Sequence, residues 1–244
     1  MPFCGVFTVF LLFFEGALNK AIRSLEFGKR SILWEDPSWQ RGEPINLEAT
    51  DTRLWALLAS LRRGITPDSI AKSTGIDPWF LDRLNNIVAM EQRLLSEPLD
   101  YQLLRKAKQL GFTDENIAQL ADSLPEKIRT LRKTLGIEPT YKMVDTCAAE
   151  FDADTPYFYS TYEDENEALP QEGAATLVLG SGPIRIGQGI EFDYASVHAA
   201  WALQAAGQRA ILVNSNPETV STDFDTSDRL YFEPLDEESI RNIL

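Results

Sequence analysis

Hydrophobic side chains recur every three or four residues near the start of the chain, which is the spacing of one helix face. The members of this row are Phe14, Ala17, Leu18, Ala21, Ile22 and Leu25. Gly28 follows, and glycine commonly ends a helix. The pattern predicts a first helix that stops at Gly28, followed by an irregular connection over 29–47, where Pro, Gly, Trp and charged residues are mixed.

An internal repeat with an offset of 47 residues comes next. Its copies begin at Gly64 and Gly111, and each places a threonine two residues later, at the position of a helix N-cap. Each copy also carries a proline, Pro78 or Pro125, where the first turn of a helix accepts one without losing a hydrogen bond. Repeats of this length are typical of stacked supersecondary units. The sequence therefore predicts two similar helical hairpins and an all-α region over about 50–135.

The pattern changes after Gly136. Residues 140–162 are rich in Thr, Tyr, Phe and Asp without a clear period, and 168–174 have the composition of a linker. From 175 onward, short apolar runs alternate with a helical stretch, which is typical of a parallel sheet with crossover helices. The predicted order is strand 176–179, helix 192–206, strand 210–213, strand 229–232 and a helix that starts at Asp236. A sheet of about three strands would keep an exposed edge, so we expect this α/β domain to be incomplete.

Composition favours a globular protein and limits its partners. Apolar residues make up 44% of the chain and charged residues 25%, so a core can be built. The net charge of −14 disfavours nucleic acid and anionic membrane surfaces. For this reason the helical hairpins are interpreted as packing or assembly units rather than as DNA-binding helix-turn-helix motifs. Cys4 and Cys147 fit no disulfide framework or zinc spacing, and a reducing cytoplasm is the simplest setting.

Residues 1–13 contain no charged side chain. They are fewer than the ~18 apolar residues that a membrane-spanning helix needs. They also lack the basic start and the small-residue cleavage site of a signal peptide. We interpret this segment as an atypical apolar N-terminus that does not begin at a natural domain boundary, and a signal or anchor segment is the alternative.

A glycine-rich segment, GSGPIRIGQG at 180–189, connects the first predicted strand to the helix. Glycines allow a sharp turn and the close approach of a ligand or another chain segment. The dinucleotide-binding fingerprint is excluded because Arg185 stands where its third glycine belongs, and a P-loop is excluded because no Gly-Lys-Ser/Thr follows. A tight turn without a ligand is the alternative to a functional loop. The candidate loop residues are Gly180, Gly182, Arg185, Gly187, Gln188 and Gly189.

A long polar loop at 214–228 follows the next strand, at the end where open α/β sheets bind ligands. Asn214 and Asn216 are its candidate site residues, and we expect this loop and the glycine-rich turn to lie at one edge of the sheet. Its aspartates lack the glycine and the final glutamate of a calcium loop, so we predict no metal site. His198 is expected to be packed or hydrogen-bonded rather than a general base, and no catalytic residue is predicted.

Several long motifs resemble the family of carbamoyl phosphate synthetase large subunits. The start of the family's second synthetase half is similar to LGSGPIRIGQGIEFDY at 179–194 and VNSNPETVSTDFDTSDRLYFEP at 213–234. The segment that joins this half to the oligomerisation domain is similar to YKMVDTCAAEF at 141–151 and YSTY at 159–162. The oligomerisation domain and the segment leading into it are similar to DPWFL at 77–81 and LNKAIRSLE at 18–26. The likeness runs from about residue 14 to the last residue, and residues 1–13 do not share it.

The resemblance implies an ATP-dependent ligase that makes carbamoyl phosphate from bicarbonate, glutamine-derived ammonia and two ATP, for arginine and pyrimidine biosynthesis. It implies an all-α oligomerisation domain at 14–140, an acidic connecting segment at 141–174 and an incomplete, Rossmann-like pre-ATP-grasp domain with a parallel sheet at 175–244. The family binds ATP with magnesium or manganese in domains that this sequence lacks. We therefore expect this chain to bind no cofactor and to be inactive alone.

The resemblance also implies partners and a role for the glycine-rich segment. Expected partners are the glutaminase small subunit and other large subunits, in the cytoplasm, and neither nucleic acid nor a membrane. The segment is similar to one near the family's internal channel for an unstable intermediate, where small residues such as Gly187 and Gly189 would suit a channel wall. A non-catalytic helical oligomerisation module is the alternative function.

Overall fold

The computed structural model describes residues 13–26, 28, 30–145, 155–170, 173–183 and 190–244. These residues form two compact units, one helical and one α/β. The helical unit contains residues 13–19, 28 and 30–136. The α/β unit contains residues 20–26 and the described residues from 137 onward. Each unit has its own core and is described by itself.

The helical unit is built from short helices that follow one another closely. The first helix, α1, runs over Phe14–Ser24, so it ends one turn earlier than the sequence predicts, and its residues up to Asn19 belong to this unit. The others are α2 (Pro37–Gln40), α3 (Arg53–Arg62), α4 (Pro67–Thr74), α5 (Pro78–Ser96), α6 (Tyr101–Gln109), α7 (Asp114–Leu120) and α8 (Pro125–Thr134).

The predicted repeat is confirmed as the pairs α4–α5 and α7–α8. The hydroxyl of Thr66 accepts from the N–H of Ser69 at 3.3 Å, and the hydroxyl of Thr113 accepts from the N–H of Asn116 at 3.0 Å, so both threonines are N-caps. Equivalent apolar positions of the two copies are buried to 2% exposure or less, namely Ile70 with Ile117 and Leu81 with Ile128. The sequence repeat is therefore a repeat of core packing.

The second hairpin contains a buried cluster of ion pairs at positions where the first has uncharged residues. Lys108 and Arg132 both contact the carboxylate of Asp114, with N–O distances of 3.1 and 2.9 Å, and all three residues are buried. The first copy has Leu61, Pro67 and Asn85 at the positions that lie 47 residues earlier. Since a buried ion pair is costly when one partner is removed, this cluster distinguishes the two hairpins.

Within the described residues, the α/β unit holds one five-stranded sheet. Its strands are β1 (Thr140–Met143), β2 (Tyr157–Thr161), β3 (Ala175–Leu179), β4 (Arg209–Asn214) and β5 (Arg229–Phe232), and their spatial order is β1-β2-β5-β4-β3. All neighbours are parallel except β1 and β2, which are antiparallel. Helix α9 (Ile190–Ala205) connects β3 to β4, and α10 (Glu237–Ile243) follows β5.

The prediction of about three strands is wrong, because β1 and β2 extend the sheet to five. Strand β2 and most of β1 fall in the acidic stretch that was expected to connect the domains. The sequence of β2, YFYST, is rich in residues that favour strands. Its parallel partner β5 lies about 70 residues later, so no local pattern showed the pairing. The predicted strand–helix–strand unit, now β3–α9–β4, is confirmed.

Helix α9 covers the sheet with Val197 and Ala200, which are buried, whereas several of its aromatic side chains are exposed. None of the helices in the described ranges combines the length and the apolar character that crossing a bilayer requires.

Candidate functional site

The glycine-rich turn and the polar loop lie side by side at the carboxyl ends of β3 and β4. Leu179 and Val213 are the last paired positions before the turn, and the N–H of Gly180 donates to the carbonyl of Val213 at 2.7 Å. The N–H of Gly182 donates to the side-chain oxygen of Asn214 at 3.1 Å. The prediction that the two segments share one edge of the sheet is confirmed.

Close packing explains why Gly180 and Gly182 are glycines. A Cβ atom on Gly180 would lie 2.5 Å from Cγ of Asn214, which is too close for any side chain. Gly182 has a φ of +68°, and a Cβ atom there would lie 2.5 Å from a carboxylate oxygen of Glu26. Both glycines therefore allow another part of the chain to approach the turn.

Asn214 is the centre of the hydrogen-bond network at this edge, and it is fully buried. Besides accepting from Gly182, its side chain donates to the hydroxyls of Thr219 at 3.3 Å and Ser221 at 3.1 Å. Asn216 is only partly buried, and its side-chain oxygen accepts from the N–H of Glu218 at 3.0 Å, which is a local turn. Of the two candidate asparagines, Asn214 thus joins the turn to the loop and Asn216 shapes the loop.

The first turn of α9 is attached to the same loop. The carboxylate of Asp193 accepts from the N–H of Ser221 at 3.0 Å through Oδ2. Its other oxygen, Oδ1, and the hydroxyl of Ser215 are buried without a hydrogen-bond partner among the described residues. Buried polar atoms of this kind are usually satisfied by water or by further groups.

A cleft of about 480 Å³ opens beside the turn. It is lined by Glu26, Leu179, Gly180, Ser181, Phe192, Ala195, Ser196 and Leu235. The sequence pointed to Gly180 but not to Glu26, Ser196 or Leu235. Ser196 and Leu235 carry no motif of their own, and Glu26 lies more than 150 residues before the turn. The lining combines one carboxylate, two hydroxyls and apolar side chains, so the cleft can hold a small polar molecule.

The remaining candidates have different outcomes. Arg185, Gly187, Gln188 and Gly189 lie outside the described residues. His198 is exposed, and its ring packs against Tyr194 at 4.0 Å and Trp201 at 5.4 Å between centroids, in agreement with a packing role. Among the described residues, no group of three or more His, Cys, Asp or Glu side chains is arranged to hold a metal ion.

The aspartates of the polar loop act on neighbouring groups of the α/β unit. Asp228 accepts from the N–H of Ala210 at 2.8 Å and so fastens the loop to β4. Burial raises the pKa of Tyr157, and the negative charges of Asp223 and Asp225 raise it further. Tyr157 therefore stays neutral over the physiological pH range and serves as a packing side chain against Phe232.

Two family models match the chain in tandem. The model of the carbamoyl-phosphate synthetase large chain, oligomerisation domain, matches residues 13–136, and the model of the carbamoyl phosphate synthase preATP-grasp domain matches residues 172–244. A carbamoyl phosphate synthase large chain from Thermomicrobium roseum is 57% identical over 236 residues. These residues make up 95% of this chain and 22% of the relative, so the chain spans about a fifth of that protein.

Proposed function

Because the chain belongs to the family of carbamoyl phosphate synthase large chains, we propose that it is part of an ATP-dependent ligase that makes carbamoyl phosphate from bicarbonate, glutamine-derived ammonia and two ATP. The product would feed arginine and pyrimidine biosynthesis in the cytoplasm. The observation that carries the proposal is the tandem order of the two matched domains, which correspond to a helical unit followed by an α/β sheet.

In this proposal the chain contributes structure rather than reactive groups. The described residues offer no metal-binding cluster, and the chain spans 22% of its relative. ATP and its magnesium or manganese ions would bind to other parts of the large chain, where the metal would neutralise charge on the transferred phosphoryl group. The partners would be the glutaminase small subunit and further large chains.

The turn at Gly180 would form part of the wall of an internal channel for the unstable intermediate. Support comes from the cleft beside Gly180 and Ser181 and from the absence of room for a larger side chain at Gly180. The backbone, the two hydroxyls and the Glu26 carboxylate that line the cleft would offer hydrogen bonds to a small polar intermediate. The chain's own part in the reaction would then be to bind and orient the intermediate and to keep water away from it.

A chimeric enzyme tests the proposal. Residues 14–244 would replace the corresponding stretch of the Thermomicrobium roseum large chain, and glutamine-dependent formation of carbamoyl phosphate would be measured with the small subunit present. We expect the chimera to be active within about tenfold of its parent and the 244-residue chain alone to make no product. A soluble, correctly assembled chimera without activity would contradict the proposal.

A second candidate function is self-association through the helical unit, and a specific observation favours it. Phe14, Trp79 and Phe80 form an aromatic cluster with ring centroids 5.0–5.7 Å apart. Trp79 and Phe80 remain 48% and 47% exposed. Exposed aromatic clusters are characteristic of interfaces, and the matched model is that of an oligomerisation domain.

Analytical ultracentrifugation of the Trp79→Ala/Phe80→Ala variant measures this function without any enzyme assay. We expect its self-association constant to fall by at least about a hundredfold, which corresponds to the loss of two central aromatic side chains. The matched control is Phe224→Ala, which removes an exposed aromatic ring from the α/β unit. Equal association of both variants would exclude the cluster as the interface.

A further inference from the structure

The segment Lys20–Glu26 is fastened to the α/β unit by a buried ion pair. The ammonium group of Lys20 donates to the carboxylate of Glu233 at 2.7 Å and to the carbonyl of Ser160 at 3.1 Å. The same carboxylate accepts from the N–H of Ser160, between β2 and β5. Burial lowers the pKa of Lys20, and Glu233 opposes this effect. Because desolvating both charges requires accurate geometry, the pair fixes the position of the segment.

A second ion pair lies one helical turn further along the segment. Arg23 donates to the carboxylate of Asp236 at 2.8 Å and to the hydroxyl of Ser239 at 3.2 Å. Asp236 is also the N-cap of α10, because its side chain accepts from the N–H of Ser239 at 2.8 Å. Lys20 and Arg23 thus hold the segment at two neighbouring points, and the backbone leaves the helix immediately after them.

Glu26 follows in a backbone conformation that non-glycine residues rarely adopt. Its φ is +50°, in the left-handed region. Such strain persists where the surrounding structure imposes it, and it is concentrated at functional positions. The carboxylate of Glu26 reaches the turn after β3, since a Cβ atom on Gly182 would lie 2.5 Å from Oε1 of Glu26. Glu26 also lines the cleft together with Ser181 and Leu235.

We propose that Glu26 is a positioning residue of this cleft, which the ion pairs of Lys20 and Arg23 place against Gly182 so that the turn after β3 keeps one conformation. The segment that precedes the helical repeats in sequence is therefore a functional part of the α/β unit. The effect on the enzyme rests on the proposed channel function, whereas the effect on the turn does not.

Hydrogen exchange followed by NMR tests the positioning role in the intact chain. Glu26→Gly removes the carboxylate and also relieves the strained φ, so the fold is retained. We expect the amide of Gly182, which donates to Asn214, to exchange about tenfold faster in this variant. The amides of Leu212 and Leu230, in the two interior strands β4 and β5, should keep their rates. In Glu26→Gln, which keeps the length of the side chain, the Gly182 amide should exchange more slowly than it does in Glu26→Gly.

Glu165→Gly is the matched control, because Glu165 is an exposed glutamate of the same unit that contacts Lys142 of β1, at the sheet edge opposite β3. An unchanged Gly182 rate in Glu26→Gly would overturn the proposal. Equal acceleration at Gly182, Leu212 and Leu230 would overturn it as well, because Glu26 would then stabilise the fold as a whole rather than the turn.

The chimeric large chain supplies the functional readout. We expect Glu26→Gly to increase the ATP hydrolysed per carbamoyl phosphate formed by about threefold or more, with the KM for ATP unchanged. An unchanged ratio in an active chimera would overturn the cleft role of Glu26. If the unsubstituted chimera makes no product, the proposed function fails, and the exchange rates still decide the role of Glu26 in the turn.

Discussion

Replacing Gly180 with alanine tests how the two loops at the edge of the sheet fit together. The new Cβ atom would lie 2.5 Å from Cγ and 2.7 Å from Cβ of Asn214, which is fully buried. Asn214 would have to move, and its hydrogen bonds to Gly182 and Ser221 would lengthen or break. Overpacking costs about 1–3 kcal/mol, and each lost hydrogen bond costs about 1 kcal/mol. We expect the α/β unit to lose about 3 kcal/mol of unfolding free energy.

Urea unfolding followed by hydrogen-exchange mass spectrometry measures this loss, because peptides from β4 and from α5 report the two units separately. Gly207→Ala is the control, since Gly207 has a φ of +74° and open space around it and should cost only about 1–2 kcal/mol of backbone strain. The variant Asn214→Gly removes the clashing atoms, so adding Gly180→Ala to it should cost much less than in the unmodified chain. If Gly180→Ala costs no more than Gly207→Ala, or if Asn214→Gly gives no relief, the packing argument is refuted.

Two further predictions concern charged groups. Asp114→Asn should destabilise the helical unit by about 3 kcal/mol or more, because Lys108 and Arg132 are buried against that carboxylate; the exposed Asp68→Asn serves as the control, and equal thermal melting of the two variants would contradict the prediction. Partial burial raises the pKa of Glu167, but hydrogen bonds from the Met143 N–H and from Lys142 bring it below the ordinary value of 4.5. A lowered carboxyl pKa stabilises the fold above pH 4.5 and loses this effect as the pH falls through the folded value. The difference in unfolding free energy between the unmodified chain and Glu167→Gln should therefore shrink as the pH falls below 4.5, and a constant difference would disprove the assignment.

The helical hairpins could be predicted because their signals are local. The threonine caps, the prolines at helix starts and the apolar positions at Ile70 and Ile117 are each readable within one turn or two of helix. Each of these signals occurs twice, because the two copies of the repeat lie 47 residues apart. The neighbouring positions of Gly180 and Asn214 were also predictable, since parallel strands joined by one helix end at the same edge.

The other half of the sheet and the cleft depended on distant contacts. Strand β2 is held by β5 through pairs such as Phe158 with Tyr231, and no periodicity within the strand shows such a partner. Glu26 reaches Gly182 from a segment whose Lys20 and Arg23 contact residues more than 200 positions away. The same separation hid the buried role of Lys20, which a helix of mixed charge would normally expose to solvent.

The ion pair of Lys20 and Glu233 has a consequence for protein synthesis, because 213 positions separate the two residues. At ribosomal speeds of 5–20 residues per second, the lysine is made roughly 10–40 s before its partner. During that interval the ammonium group must stay hydrated, and the helical hairpins encoded between the two residues can already fold. The α/β unit is thus completed after the helical unit, and a nascent chain that stops short of Glu233 leaves the segment Lys20–Glu26 without its main contact.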